Sequence, residues 1–566
     1  MRRALPYLLC FLLATGGVPG IARSAERVDE LSIGVSQFPA TLNPLIDTMV
    51  AKTYVLALVR RPLTTYDADW KLVCLLCETV PSFENGLARK IDLPGGKHGV
   101  LLTYTIRPNA RWGDGVPVTS EDVIFTWQVG RNPQSGVAEG ELYRRILKIE
   151  AKDAKTFTVE LDRLTYDYAD FSGLDILPAH IEREAFSDPT QYRFRTRFDT
   201  DPTNPGLYDG PYRITEVSPG SHIVFERNPS WWGDPPFFRR IVVWTVENTA
   251  ALEANLLAGG LDMVAGELGL PLDEALAFEK RHGGEFTVIY KPGLSYEHID
   301  LNLDNPVLGD RRVRQALLDA IDRQAISEEI YNGRDPVADS FVPPLDWIYA
   351  PDVPRYPFDP ERAKALLDEA GWHAEGKAIR KNQAGQKLSL ELATTSGNRT
   401  RELVEEVLQS QWRQVGVDVR LKNQPARVLL GETMAKRQFA MAMFAWISAP
   451  EDLPRGELYS SEIPSASNNY SGENFVGWKN PEADRLMDAI ETELDRPRRG
   501  ELWARFQALY AEELPALPLY FRADAFILPK WLKGLVPTGN EYPSTLWVEN
   551  WRAEGRAAEA AEAKSR

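Results

Sequence analysis

Histidine, serine and cysteine side chains carry out much of the chemistry in proteins, and their spacing in this chain matches no familiar catalytic or metal motif. The six histidines are at positions 98, 180, 222, 282, 298 and 373, with no His-Glu-x-x-His and no pair spaced as metal ligands on one helix. No Gly-x-Ser-x-Gly nucleophile turn and no Gly-x-x-x-x-Gly-Lys-Ser/Thr phosphate loop occurs. The residues therefore favour binding over catalysis, although triads are recognised by geometry.

The two cysteines that follow the N-terminal region are close together, as Cys74-Leu-Leu-Cys77. In an oxidising compartment they could form one small disulfide. A redox role would need a helix N-terminus to lower the thiol pKa, but the flanking leucines and valine indicate an apolar strand. We therefore expect a structural role.

One stretch points to a ligand site on physical grounds. Residues 439–446 are apolar on both faces, which is typical of a strand buried in an α/β sheet. A polar loop, Ile447 to Asp452, follows it. Ligands of open α/β sheets bind beyond the carboxyl ends of strands, so this loop is a site candidate, while an ordinary core strand remains the alternative.

Strand and helix patterns alternate through the middle of the chain, which predicts α/β lobes with largely parallel sheets. The capping residues and apolar periodicity predict several helices. They are expected after Thr119, from Ala250 to Ala258 with Thr249 as the cap, from Asp310 through Ile330, after Asp359-Pro360, and from Thr400 to Val415.

The overall charge excludes one class of partner. The chain has 566 residues, 65 of them basic and 81 acidic, and a net charge of −16. Nucleic-acid binding needs basic patches, so we expect no nucleic-acid partner.

The N-terminus has the pattern of a secretory signal peptide over residues 1–24. Arg2 and Arg3 precede an apolar stretch from Leu5 to Ala14, and Ala22-Arg23-Ser24 fits a cleavage site. Cys10 lies inside the apolar stretch, so we expect no lipid anchor and a soluble, periplasmic protein. At the other end, residues 556–566 are predicted to form a flexible tail.

A longer motif resembles a known family. Residues 104–127 read YTIRPNARWGDGVPVTSEDVIFTW, which resembles the signature of the bacterial extracellular solute-binding proteins of family 5, the oligopeptide- and dipeptide-binding group of ABC importers. Further similar segments follow in the same order, at 41–44, 210–214, 226–233, 310–323, 360–372 and 514–520. The resemblance covers about residues 30 to 550 of the chain.

The resemblance implies an α/β fold of the periplasmic binding protein type II-like class, with two lobes around a hinge and a cleft. The first lobe would comprise 26–62, 203–293 and 516–555, with an extra smaller domain at 63–202. The second lobe would be 294–515. Strands crossing between the lobes would act as the hinge, and ligand would favour the closed state.

The resemblance also implies a site, in which a peptide or peptide-like solute is held as an added strand. The implied ligand-binding residues are Trp446 with Ala445, Ile447 and Ser448, facing Met49, Val50 and Ala51, together with Tyr296. Asn469 is a further candidate from the residues themselves, because the run 468–472 offers neutral hydrogen bonding near the same loop; an ordinary surface turn is the alternative. The family implies no enzyme activity, no cofactor and no metal. The implied partners are the permease subunits of an ABC importer in the inner membrane, and the chain is expected to be a monomer.

One departure from the family pattern affects the ligand. Peptide binders of the family place an aspartate three residues after the tryptophan to pair with the α-ammonium of the ligand, but this chain has Ala449. Glu451 or Asp452 could substitute. The alternatives are a non-peptide solute (glutathione, an opine or sugar conjugate, chelated nickel), a sensor subunit of the same fold, or an exported hydrolase.

Overall fold

The computed structural model describes residues 28–138, 140–376, 378–468 and 470–555. The expected signal peptide (1–24), the expected tail (556–566) and Asn469 lie outside the described residues. None of the helices that are described is both long enough and apolar enough to cross a membrane.

The strands of the described residues are β1 (Glu30–Val35), β2 (Thr64–Tyr66), β3 (Leu72–Cys74), β4 (Ala88–Leu93), β5 (Lys97–Thr105), β6 (Ile146–Ala151), β7 (Thr156–Leu161), β8 (Tyr212–Ser218), β9 (His222–Arg227), β10 (Arg240–Thr245), β11 (Met263–Val264), β12 (Phe286–Leu301), β13 (Ser389–Ala393), β14 (Asp418–Leu421), β15 (Met441–Ile447), β16 (Ala516–Pro529), β17 (Leu532–Lys533) and β18 (Arg552–Ala553).

Ten of these strands form one continuous sheet, in the order β14-β13-β15-β12-β16-β11-β1-β10-β9-β8. β1 pairs in parallel with β10 and β11, and β13 pairs in parallel with β14 and β15. The remaining pairs of this sheet are antiparallel. The prediction of largely parallel sheets is therefore wrong: the parallel pairs lie within each half of a mixed sheet, and antiparallel strands join the halves.

The helices are α1 (Val50–Leu56), α2 (Ser120–Gly130), α3 (Glu141–Arg145), α4 (Ala179–Glu182), α5 (Tyr192–Arg195), α6 (Arg197–Thr200), α7 (Thr249–Leu257), α8 (Leu272–His282), α9 (Arg311–Asp319), α10 (Arg323–Tyr331), α11 (Pro360–Glu369), α12 (Arg399–Gln414), α13 (Ala426–Val428), α14 (Arg455–Leu458), α15 (Pro481–Thr492) and α16 (Arg496–Glu513). A π-helical turn, Leu429–Met434, follows α13.

Capping residues set the helix starts. Thr119 begins α2 with the expected reciprocal capping by Asp122. The predicted helix from Asp310 through Ile330 is wrong, because α9 ends at Asp319 and the Asp322 carboxylate accepts from the Ala325 N–H (2.9 Å) to begin α10. Similarly, α7 is capped by Asn248 and not by Thr249.

Two large apolar cores fill the fold. The first core includes Ile33 and Phe225 from the ten-stranded sheet and Tyr104 and Phe157 from a separate antiparallel sheet, β4-β5-β7-β6. The second core includes Ile299, Leu317, Leu392, Trp412 and Leu519. Cys74 and Cys77 form the disulfide that their spacing allowed, at the end of β3.

Only β12 and β16 run through both halves of the ten-stranded sheet, as far as the described residues show. They pair with each other along 286–292 and again along 296–300, with a register break between Pro292 and Tyr296. On its other side, β12 pairs with β15 only from Ser295 onward. The register break therefore marks the place where the two halves of the molecule meet.

Candidate functional site

A cavity of about 1480 Å³ lies at this junction of the two halves. Residues 293–295 at the register break and residues 520 and 522–524 of β16 form part of its lining. The segment 266–274 lines it from the first half, and residues 397–401 and 447–449 line it from the second. Because strands shared by both halves lie in its wall, a small rotation about those strands would change the width of the cavity.

Three of the predicted ligand-binding residues line this cavity: Val50, Ile447 and Ser448. Ile447 is 68% exposed and Val50 is 48% exposed, although both are large aliphatic residues. Met49 packs against the first core, and Ala51 is fully buried. Successive side chains of a helix point in different directions, so of these three neighbours only Val50 faces the cavity.

Trp446 and Tyr296 line a smaller cavity of about 60 Å³, which shares Ile447, Ser448, Ala449 and Asp452 with the large one. The Trp446 ring stacks on Phe475 with centroids 6.0 Å apart. Tyr296 is buried, and its hydroxyl lies 3.3 Å from that of Tyr510. The smaller cavity is thus an aromatic side pocket of the large one.

Ala445 lies in β15, opposite Glu297 of β12. On the other side of β15, strand β13 pairs only with Met441 and Ala442. No described strand pairs with that side of β15 from Phe444 to Ile447, where the strand runs into the cavity. A strand edge without a partner offers main-chain donors and acceptors to an extended ligand.

The loop after β15 decides between the two acidic residues that could replace the family aspartate. Glu451 is already engaged, because its carboxylate accepts from Arg499 Nε (2.5 Å) and from Trp347 Nε1 (2.8 Å). Asp452 lines both cavities, and its carboxylate interacts with main-chain N–H groups of its own loop but with no side chain of the described residues. Crowding by protein atoms raises the pKa of Asp452 to about 6, even though its side chain opens to the cavity.

Asn469 has no described position, but its neighbour Asn468 is described. The Asn468 side chain accepts from the Ser465 N–H (2.8 Å) and donates to the Ile463 carbonyl oxygen (2.9 Å). Asn468 therefore shapes its own turn, as expected of an ordinary surface loop.

Sequence reasoning missed four carboxylates of the cavity wall: Glu267, Asp335, Asp524 and Glu541. Burial raises the pKa of Asp335 to about 7. Crowding by surrounding protein atoms raises the pKa of Asp524 to about 7 and that of Glu541 to about 8, although both side chains open to the cavity. Burial also raises the pKa of Glu267. These residues are far apart in the sequence and belong to no motif, so no pattern distinguished them from the other acidic residues.

The segment after β7 reaches across to the second half of the molecule. The Tyr166 hydroxyl donates to the Glu451 carbonyl oxygen, and the Tyr166 N–H donates to the Glu491 carbonyl oxygen (3.0 Å). The guanidinium of Arg499 lies over the Tyr166 ring, 5.0 Å from its centroid. These contacts join the two sides beside the cavity, as a closed arrangement requires.

Metal binding by protein side chains alone finds no support in the part of the chain that the structure describes. No group of three or more His, Cys, Asp or Glu residues there is arranged to hold a metal ion.

Comparison with known proteins identifies the family. Residues 98–460, more than half of the chain, match the model of the bacterial extracellular solute-binding proteins, family 5. The chain belongs to this family. Family 5 relatives include the oligopeptide-binding protein AppA of Bacillus subtilis (26% identical, covering 94% of this chain and 95% of that protein). Another relative is the nickel-binding periplasmic protein of Escherichia coli (23% identical, covering 88% and 90%).

Solved structures of family 5 relatives share the fold. An oligopeptide-binding protein of Thermus thermophilus, complexed with a pentapeptide, superposes with a TM-score of 0.71 at 29% identity, covering 94% of this chain and 97% of that one. The Campylobacter jejuni protein NikZ, in complex with Ni(L-His), also superposes with a TM-score of 0.71, at 21% identity. The periplasmic binding protein type II-like fold and the family membership predicted from the sequence are both confirmed.

Proposed function

We propose that this family 5 protein is the extracytoplasmic substrate-binding component of an ABC importer, and that it binds a peptide or peptide-like solute in the large cavity. The volume of about 1480 Å³ exceeds the roughly 300–1,000 Å³ of ordinary small-molecule pockets. Relatives whose names specify oligopeptides cover nearly the whole chain. The protein would act in the periplasm as a monomer and deliver the solute to permease subunits, without nucleic acid, cofactor or catalysis.

The observation that carries the proposal is the unpaired edge of β15 from Phe444 to Ile447, which ends at Ile447 in the wall of a cavity large enough for an extended chain. A peptide would add a strand there through main-chain hydrogen bonds to the region of Ala445 and Ile447. Ser448 would contact the ligand from the same side and Val50 from the other side. A side chain of the ligand would enter the aromatic pocket at Trp446.

The proposed lobes follow the boundaries expected from the family, with one refinement. The first lobe is 26–62, 203–293 and the C-terminal segment, with the extra domain 63–202, and the second lobe begins at 294. Residues Leu517 to Tyr520 of β16 pack in the second core, so we place the second crossing after Phe521 instead of at Ala516. Rotation about the two crossings would open the cavity, and ligand contacts on both lobes would close it.

Asp452 supplies the anion that Ala449 lacks. It faces the cavity three residues beyond Ala449, while Glu451 is held by Arg499. A ligand α-ammonium beside Asp452 would favour the ionised carboxylate and lower its raised pKa. A free N-terminus is therefore compatible with this cavity.

Thermal-shift measurements on the purified protein test the proposal. The panel contains free and N-acetylated pentapeptides, glutathione, an opine, a sugar conjugate and histidine-chelated nickel. A ligand that binds only the native state raises the melting temperature as its concentration exceeds Kd. We expect free pentapeptides to give the largest shift and to be recovered intact, which also tests against a hydrolase. A shift confined to the non-peptide solutes would overturn the peptide proposal.

Transport and sensing are separated by an uptake measurement. Cells that contain the protein and its permease should accumulate a labelled pentapeptide, and cells lacking the protein should not. A labelled peptide that binds the protein tightly but never enters the cells would favour the sensor subunit.

A further inference from the structure

The charged groups of the cavity are unequal in number. Twelve of the residues that line it are Asp or Glu, whereas six are Lys or Arg. Only groups that have no partner within the protein are available to a ligand, so each lining group is compared with its neighbours.

Most of the cations are occupied by the protein itself. Arg401 makes a two-point contact with Glu297 (2.6 and 3.0 Å), and Arg145 pairs with Asp167 (2.9 Å). Arg60 donates to a main-chain carbonyl and lies 3.9 Å from Asp175. Lys52 donates to the main-chain carbonyl oxygens of residues 44 and 46. These four side chains hold the wall together, and their donor groups are engaged by the protein.

Two cations remain open to a ligand. Arg399 is exposed at the start of α12, with no carboxylate partner among the described residues. Arg522 is 49% exposed, and its only carboxylate contact there is Glu297 at 4.0 Å, a group that Arg401 already pairs. These two side chains are enough for one or two carboxylates of a ligand.

Nine carboxylates of the wall have no Lys or Arg nitrogen within 4.0 Å in the described chain: Asp47, Asp170, Glu267, Asp273, Glu274, Asp335, Asp452, Asp524 and Glu541. Asp335 is 1% exposed, and among the described residues the only donor to its carboxylate is the Ala523 N–H (2.9 Å). Glu267 accepts from Ser544 through Oε1, while its buried Oε2 has no hydrogen-bond partner in the part of the chain that the structure describes. Asp452 and Asp524 make no hydrogen bond with another described side chain.

We infer that the solute is cationic, with positive charges in its side chains in addition to any α-ammonium, as in a lysine- or arginine-rich peptide. The inference rests on the proposed function, because it names the class of solute for the same cavity. Nine carboxylates without a Lys or Arg partner against two open cations leave an excess of acidic groups, which a neutral peptide would not balance.

Closure of the cavity explains why the charge should matter. Asp335 and Asp452 belong to the proposed second lobe, while Asp170, Glu267 and Glu541 belong to the proposed first lobe and its extra domain. When the lobes close without ligand, like charges approach in a crowded space. Burial is the largest cause of the raised pKa values of Asp335 and Glu541, and the charges of Asp524 and Asp452, respectively, add to it from the opposite lobe. A cationic ligand removes the repulsion and so favours the closed state over the open one.

Calorimetric titration of the whole protein with matched peptides tests the inference. The probes are Ala-Lys-Ala-Lys-Ala, pentaalanine and Ala-Glu-Ala-Glu-Ala, with spermidine as a non-peptide cation. We expect the lysine peptide to bind at least about tenfold more tightly than pentaalanine, and the glutamate peptide to bind more weakly than both. Binding of the lysine peptide at pH 7 should also release protons, seen as a dependence of the heat on the buffer.

Two variants locate the effect. Asp524→Asn combined with Glu541→Gln removes two acidic groups without breaking an ion pair. This double variant should lower the affinity for the lysine peptide about tenfold and leave the affinity for pentaalanine nearly unchanged. Glu501→Gln, an exposed change on α16 outside the cavity wall, should change neither.

The outcomes separate the two proposals. If pentaalanine or the glutamate peptide binds as tightly as the lysine peptide, the cationic inference is wrong and the peptide proposal stands. If spermidine binds and no peptide does, the charge preference is supported and the peptide proposal is wrong. If none of the four probes binds, both are overturned.

Discussion

The Tyr166 hydroxyl donates a hydrogen bond to the main-chain carbonyl oxygen of Glu451, and so joins the segment after β7 to the loop after β15. Both residues lie beside the cavity, on segments that we assign to opposite sides of it. A contact of this kind exists only when the two sides are close together, and it therefore biases the protein towards the closed arrangement.

Tyr166→Phe removes that hydrogen bond and keeps the ring beneath Arg499. A hydrogen bond contributes about 0.5–1.5 kcal/mol, so ligand affinity should fall about two- to tenfold while the melting temperature of the ligand-free protein changes little. Isothermal titration and small-angle X-ray scattering measure the two effects. Tyr470→Phe, which alters an exposed hydroxyl, is the matched control and should change neither quantity. A Tyr166→Phe protein with unchanged affinity would show that the contact does not favour closure.

Loss of charge at Glu451 should lower stability, whereas loss of charge at its neighbour Asp452 should lower ligand affinity. Glu451→Gln leaves the nearly buried Arg499 without its anion, so we expect the free energy of unfolding to fall by about 2 kcal/mol. Asp452→Asn should leave the fold intact, because no described side chain pairs with Asp452. It should instead lower the affinity for peptides with a free N-terminus about tenfold. Denaturant unfolding and titration with free and N-acetylated peptides measure the difference. If the Asp452→Asn protein binds both peptides as tightly as the parent does, Asp452 does not belong to the site.

Trp446 should affect binding more than stability. Trp446→Ala removes one wall of the side pocket, and we expect ligand affinity to fall about tenfold or more. Its ring is only half-buried, so the loss of contact with Phe475 should lower the melting temperature modestly. Phe444→Leu is the comparison, since the Phe444 side chain is buried and lines neither cavity. This variant should lower the melting temperature without lowering ligand affinity. The reverse pattern would place Trp446 in the core and outside the site.

Main-chain recognition by the unpaired edge of β15 predicts a specific effect of backbone methylation. In a strand, alternate residues direct their N–H groups to the same neighbour. A set of pentapeptides, each methylated at one amide nitrogen, should therefore show strong loss of affinity at alternate positions and little loss between them. A uniform effect along the peptide would argue against strand addition.

The raised pKa values in the cavity predict that the ligand-free protein becomes more stable as the pH falls from about 8 to 5.5. Asp524 and Asp335 titrate at about 7 and Glu541 at about 8 in the folded protein, whereas an unfolded Asp or Glu titrates at about 4. Between these values the folded state binds more protons than the unfolded state, so stability decreases with rising pH.

Melting temperatures across this pH range measure the effect, which should be partial because Asp524 and Glu541 open to the cavity solvent. The Asp524→Asn, Glu541→Gln double variant should show a flatter profile. A melting temperature that rises towards pH 8 in the parent protein would contradict the assignment.

The sequence determined the family and the fold class, because residues 104–127 combine a turn, an extended step and a capped helix in an order that resembles this family. It also indicated β15 and the loop after it as a site candidate, since an apolar run followed by polar residues can be recognised in the sequence alone. Local rules worked where the deciding contact was local, as with Thr119 capping α2, and failed where a later residue offered a better cap, as with Asp322.

The tertiary structure alone decided which side chains face the cavity. Of three consecutive candidates, helix geometry turned only Val50 towards it, and Glu451 was removed as a candidate by Arg499, 48 residues along the chain. The carboxylates at 267, 335, 524 and 541 come together because β12 and β16 cross at the junction of the two halves. Their charges act through space, and distance in space is set by the packing of the whole fold, which no spacing along the sequence records.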